Sequence, residues 1–208
     1  VKAIQRLTEI QSMVSSHFFV KKNGKIITMV PESYIAWHAG ESSWGKYDSL
    51  NKNSIGVEIS NQGHEFGYKN FSKSQIRSLI RLLRFLCKKY NIKKNYILGH
   101  SDIAPTRKLD PGEKFPWDYL AKNKLSIWHN INKRELKRLR ELKCEYVLKK
   151  IFFKNLYKIG YPKKIGMSMK KYSFIVKAFQ RRFRPQIING RIDRECLLIS
   201  QKLIKFNK

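Results

Sequence analysis

Acidic residues are scarce. The 208-residue chain carries 15 Asp+Glu against 44 Lys+Arg, a formal net charge of +29. An excess of this size draws a chain towards polyanions such as nucleic acid, anionic lipid or an acidic polymer. Lys, Ile and Asn are abundant in segments of every character, so a general compositional bias accounts for the excess equally well. Cysteine is also sparse. Cys87, Cys144 and Cys196 are odd in number and far apart, which argues against a disulfide framework and against a Cys-based zinc site. Each reads as a small buried apolar residue. No run of about 18 apolar residues occurs, so no transmembrane helix is expected. No charged-then-apolar leader opens the sequence, and residue 1 is Val rather than Met, from which we expect processing or residues upstream. What is present is an apolar content of 42%, enough for a core and too much for a disordered tail. The length suits one domain, or one plus a small module.

Along the chain, Ile4, Leu7, Ile10 and Met13 fall at helical spacing over residues 2–13. His17 to Val20 reads as a strand, Asn23-Gly24 as a tight turn, and Lys25 to Val30 as the returning strand. Residues 31–53 are loop-like, and Ser54 to Ser60 is a further strand. Ser72 with Gln75 makes a capping box for a long helix, whose inner face is Ile76, Leu79, Ile80, Leu83, Leu86, Cys87 and Tyr90. Tyr96 to Gly99 is a short apolar strand, followed by a loop from His100 to Pro116 and a short helix from Trp117 to Ala121. This order predicts an α/β domain with a mixed sheet flanked by helices over residues 1–128. Beyond about residue 130 the chain turns helical and very basic. A helix to Tyr161, a second carrying Phe174, Ile175, Ala178, Phe179 and Phe183, and a third carrying Leu197, Leu198, Ile199 and Leu203 predict an all-α three-helix module over 140–208.

The segment richest in chemistry runs from Gly99 to Gly112. It follows a predicted strand, so its polar groups emerge where open α/β sheets hold ligands. His100 and Asp110 are zinc-ligand types that a loop can fold onto one ion. The same residues also read as a capped loop, with Asp102 as an N-cap and Asp110-Pro111-Gly112 as a turn. In the strand SIGVEIS, Ile55, Val57 and Ile59 form the apolar set, and Glu58 shares the other face with Gly56 and Ser60. Glu58 is either a solvated carboxylate or a general base aimed at an activated water. Lys108 is either one more surface lysine or a cation for a developing oxyanion.

Taken in order, the motifs VSSHFF at 14–19, AWHAG at 36–40 with Ser43-Trp44, LNKNSIGVE at 50–58, and GHSDIAP at 99–105 continuing through Arg107-Lys108-Leu109-Asp110 to Phe115-Pro116-Trp117 form one pattern. The pattern resembles the zinc-dependent N-acetylmuramoyl-L-alanine amidases over residues 1 to about 125. The tail resembles a peptidoglycan-binding domain at Gly160-Tyr161, Ala178-Phe179-Gln180, Phe183-Arg184-Pro185, Asn189-Gly190, Asp193 and Glu195. The resemblance implies hydrolysis of the amide between N-acetylmuramic acid and L-alanine. It implies zinc on His100 and Asp110, Glu58 as catalytic glutamate, and Lys108 as stabiliser of the tetrahedral intermediate. It implies a substrate groove walled by Trp37, His38, Trp44, Asn53 and Arg107, and it matches His17 to a strand histidine that is not a ligand. A first zinc-ligand histidine, on a strand expected to end just upstream of Val1, is not among these residues.

Peptidoglycan or muropeptides are therefore the expected partners, with no nucleic acid, and the expected location is periplasmic or envelope-associated, with the cytoplasm as alternative. Three other readings stand beside the enzyme. One is a peptidoglycan-binding protein impaired in catalysis by an incomplete zinc site. Another is a nucleic-acid binder, favoured by charge alone and lacking any motif of that kind. The third is a metallo-hydrolase of another class.

Overall fold

The computed structural model describes residues 7–163 and 169–207. The chain divides into two compact units, one of Val1–Ser43 with Tyr47–Ile92, the other of Trp44–Lys46 with Lys93–Lys208. The helix expected over 2–13 lies partly outside the described residues, and Ile10–Ser12 is a single 3-10 turn.

In the first unit, strand β1 (Phe18–Val20) is central. It pairs antiparallel with β2 (Ile26–Thr28) and parallel with β5 (Val57–Ile59), giving the order β2-β1-β5. The sheet is therefore mixed, as expected. The hairpin between β1 and β2 turns at Gly24, whose φ is +87, and the Asn23 side chain accepts the Lys25 N–H there. Two-residue strands β3 (Ser43–Trp44) and β4 (Tyr47–Asp48) come between β2 and β5. Helix α1 (Lys73–Tyr90) starts at Ser72 with both halves of the capping box formed. Ser72 Oγ also donates to the Lys22 carbonyl at 2.6 Å, and Gln75 Nε2 to the Ser60 carbonyl at 2.8 Å, so the cap ties the helix to the hairpin and to the end of β5. Phe18, Val20, Leu82 and Leu86 are buried together, and Ile26, Ile55, Val57 and Ile59 pack against them. Each such side chain, fully buried, contributes about 1.5–3 kcal/mol. The helix face differs from expectation at its end: Leu82 is buried, whereas Tyr90 is 43% exposed. The Tyr90 hydroxyl is drawn outward to Glu32.

The second unit holds α2 (His100–Ile103), α3 (Trp117–Lys122), α4 (Lys133–Leu139), α5 (Tyr146–Ile159), α6 (Met169–Phe183) and α7 (Arg194–Leu203). The strand expected at Tyr96 to Gly99 does not form. Lys94–Tyr96 is a 3-10 turn, and the Ile97 carbonyl accepts from the Arg182 guanidinium at 2.9 Å instead of entering a ladder. The long basic helix expected up to Tyr161 is interrupted between α4 and α5. There Glu141 has a φ of 59, its N–H goes to the Asp193 side chain, and the backbones of Lys143 and Asp193 form an isolated antiparallel β-bridge. Helices α5, α6 and α7 share a core of Phe152, Leu156, Ile159, Ile175, Phe179, Ile199 and Leu203, in which Phe152 and Phe179 meet edge to face at 5.1 Å. Asp193 caps α7 by accepting the Cys196 N–H at 2.8 Å.

Candidate active site

The second unit closes residues 99–112 into a tight loop. Gly99 precedes α2, and a Cβ there would lie 2.7 Å from Pro111 Cδ and 3.2 Å from the Trp117 ring, so the close approach requires glycine. The Ser101 N–H donates to the Asp110 carbonyl at 2.9 Å, and the Arg107 and Lys108 N–H groups both donate to the Ala104 carbonyl at 3.0 Å. These bonds bring the two expected metal ligands together, with His100 Nδ1 lying 3.1 Å from Asp110 Oδ2. Burial pushes the Asp110 carboxyl up, but the His100 hydrogen bond and charge, its own backbone amide and the Lys108 charge outweigh that, so it sits below its ordinary value. Lys108 is half-buried near this carboxylate, and Arg107 is exposed.

An imidazole nitrogen beside a carboxylate oxygen is a donor pair that zinc accepts. Among the described residues no group of three or more His, Cys, Asp or Glu is arranged to hold a metal ion. The pair therefore fits zinc in kind and numbers two donors, where a catalytic zinc usually has three from the protein.

Two residues from His100 stands Asp102, whose distant partners the sequence did not reveal. Asp102 is 1% exposed. It accepts the Gly99 N–H at 2.8 Å, the Tyr161 hydroxyl at 2.8 Å, and Arg182 Nη1 at 2.5 Å. The first bond corrects the expected cap: Gly99, not Asp102, is the N-cap of α2, and the Asp102 side chain reaches back to its N–H. The other two partners stand 59 and 80 residues away and carry no local signal.

In the first unit, Glu58 lies in β5 in register with Phe19 and is exposed. Ile55, Val57 and Ile59 face the core, as the alternation predicts. His17, buried at 2% exposure, accepts the Gly56 N–H on Nδ1 at 3.0 Å, and its Nε2 lies 3.1 Å from the Tyr34 carbonyl. This fits the Nε2–H tautomer and a structural task. His38 lies against Gly56, where a Cβ would come within 2.3 Å of the ring, two residues from Glu58. Asn51, not singled out from the sequence, accepts the His38 and Ala39 N–H groups through Oδ1 at 3.1 and 2.7 Å and so fixes the AWHAG turn. Trp37 is 51% exposed and Asn53 is exposed. Trp44, in the second unit, is 3% exposed and stands edge-on to Tyr161 at 5.0 Å.

Comparison with known proteins follows this geometry. The family model described as N-acetylmuramoyl-L-alanine amidase matches residues 2–113. The N-acetylmuramoyl-L-alanine amidase AmiD of Escherichia coli K12 is 34% identical over 215 residues, spanning 98% of this chain and 77% of that protein. The 1,6-anhydro-N-acetylmuramyl-L-alanine amidase AmpD of Haemophilus influenzae is 37% identical over 113 residues, 53% of this chain and 59% of that protein. Among solved structures, the complex of E. coli AmiD with anhydro-N-acetylmuramic acid-L-Ala-D-gamma-Glu-L-Lys superposes with a TM-score of 0.84 at 32% identity, covering 98% of this chain and 83% of that one. Pseudomonas aeruginosa AmpDh3 with an anhydromuramic pentapeptide gives 0.82 at 28% identity, covering 97% and 85%.

Proposed function

The chain belongs to the N-acetylmuramoyl-L-alanine amidase family, and we propose that Glu58, Lys108, His100 and Asp110 carry its chemistry. The protein is a peptidoglycan hydrolase that cleaves the amide between N-acetylmuramic acid and the L-alanine of the stem peptide. His100 and Asp110 would hold zinc, which when bound supplies Lewis acidity towards the amide carbonyl. Glu58 takes a proton from the attacking water and returns it to the leaving amine. The Lys108 ammonium stabilises the charge that develops on the carbonyl oxygen. The Arg107 guanidinium pairs with a carboxylate of the stem peptide. Trp37, His38 and Asn53 line the substrate groove, with the exposed Trp37 ring offering an apolar face to the substrate; Trp44, expected beside them, is instead buried against Tyr161 and does not reach it.

Residues 140–208 serve as a peptidoglycan-binding module. Among the described residues no helix is long and apolar enough to cross a membrane. A peptidoglycan substrate supports work in the periplasm or envelope, with the cytoplasm as the alternative. AmiD and AmpDh3 were solved with anhydromuramyl peptides bound, and muropeptides of that kind are the substrates we assign.

The observation that carries the site is the 3.1 Å approach of His100 to Asp110 from ten residues apart. The test is Glu58→Ala. Turnover of a muropeptide should fall by about 10²–10⁴-fold, the usual worth of a general base, with zinc content unchanged. Turnover within a few-fold of wild type removes Glu58 from the mechanism.

A further inference from the structure

Helix α2 is four residues long, His100–Ile103. A single turn of helix has no stability of its own in water, so its conformation is held from outside. The holding points converge on Asp102, two residues from His100. Tyr161 and Arg182 supply two of its three donors, and both lie beyond the 2–113 stretch that matches the amidase family. Arg182 does more than neutralise the carboxylate. Its Nη2 donates to the Ile97 carbonyl at 2.9 Å and to Ser126 Oγ at 3.2 Å. Its guanidinium lies over the Trp117 ring at 4.1 Å. One planar side chain thus touches the segment entering the turn, the turn itself and the helix that follows the loop. The Tyr161 ring is 1% exposed, packed against Trp44 and Phe179. A buried ion pair is a poor source of net stability, because desolvation offsets most of its attraction. Its geometry is specific, however, since a guanidinium fork offers several donors in fixed directions.

We infer that Tyr161 and Arg182 are positioning residues for the amidase reaction: through Asp102 they fix the turn that presents His100 beside Asp110. The inference rests on the reading of His100 and Asp110 as the metal pair. It gives the C-terminal helices a second task besides binding the wall, that of completing the catalytic loop.

The test uses the full chain, first without metal. Tyr161→Phe keeps the ring and removes one donor to Asp102. Site-resolved amide hydrogen exchange should accelerate by about tenfold or more at Gly99, Asp102 and Ala104, while the amides of Phe152 and Ile199 keep their wild-type rates, because local opening is separable from global unfolding. With zinc restored, kcat should fall and KM should hold. Arg182→Lys keeps the charge but not the fork, and should speed the same amides further. Unchanged exchange at the turn, or equal acceleration throughout the unit, would overturn the inference. His100→Ala tests the underlying reading separately: full turnover by that variant sinks the ligand assignment, and with it the link from turn to catalysis, whatever the exchange pattern.

Discussion

Gly99 carries more constraint than its size suggests. The space for a Cβ is taken by Pro111 on one side and Trp117 on the other, and Pro111 follows Asp110 directly. Gly99→Ala should destabilise the protein by about 1–3 kcal/mol, the usual cost of overpacking, as measured by urea denaturation. It should also weaken zinc binding, because the residue displaced is the neighbour of Asp110, the proposed ligand. Unaltered stability would mean that Pro111 yields without cost. At this scale the sequence was informative where chemistry is local. Alternation in SIGVEIS set Glu58 opposite the core, and GHSDIAP to Asp110 marked a loop that folds two donors together. It was silent where a partner is distant: Arg182 sits in the run Phe179-Gln180-Arg181-Arg182-Phe183 among 44 basic residues, and only the fold reveals that it is 2% exposed on a carboxylate 80 residues earlier.

Among the elements, α1 and its capping box follow from the sequence because cap, amphipathic face and first turn agree. The strand expected at Tyr96 to Gly99 does not form, because apolar character alone makes no ladder: Lys94–Tyr96 is a 3-10 turn and the Ile97 carbonyl accepts from Arg182. The join between α3 and α4 carries a pH-sensitive group. His129 is 7% exposed, its Nε2 lies 3.1 Å from the Phe183 carbonyl, and its buried Nδ1 has no hydrogen-bond partner among the described residues. Burial holds its pKa below the ordinary 6.5, against the Phe183 carbonyl and the Glu195 charge, which raise it. A histidine depressed in the fold takes up its proton more readily when unfolded, so stability is full above 6.5 and falls as pH drops from there through the folded value. Thermal melts from pH 8 to 5 should show this decline. His129→Gln, which does not titrate, should flatten it, and an identical slope in both proteins would exclude His129 as the cause.

At the scale of the whole molecule, the scarcity of acid becomes structural. Three of the 15 acidic residues are buried and held by arginine. Asp102 meets Arg182, Asp193 meets Arg184, and Glu195 takes a bidentate bond from Arg140. The uncompensated charge therefore lies on lysines and arginines outside these pairs, and binding to an anionic wall should weaken with salt. The metal obeys a different rule. With His100 and Asp110 alone, the 208-residue chain should lose zinc on dialysis against a dilute chelator, since catalytic sites usually employ three protein donors. Elemental analysis after dialysis checks this, and one retained zinc per chain would mean that a further donor joins the pair. Trp44 adds a matter of timing. Its ring is covered by Tyr161, and the Gly45 N–H is bonded to the Gly160 carbonyl at 2.7 Å. A ribosome adding 5–20 residues per second reaches Tyr161 on the order of ten seconds after Trp44. For that interval the nascent chain carries the indole without the Tyr161 ring that covers it, an apolar surface open to chaperones until the later segment arrives.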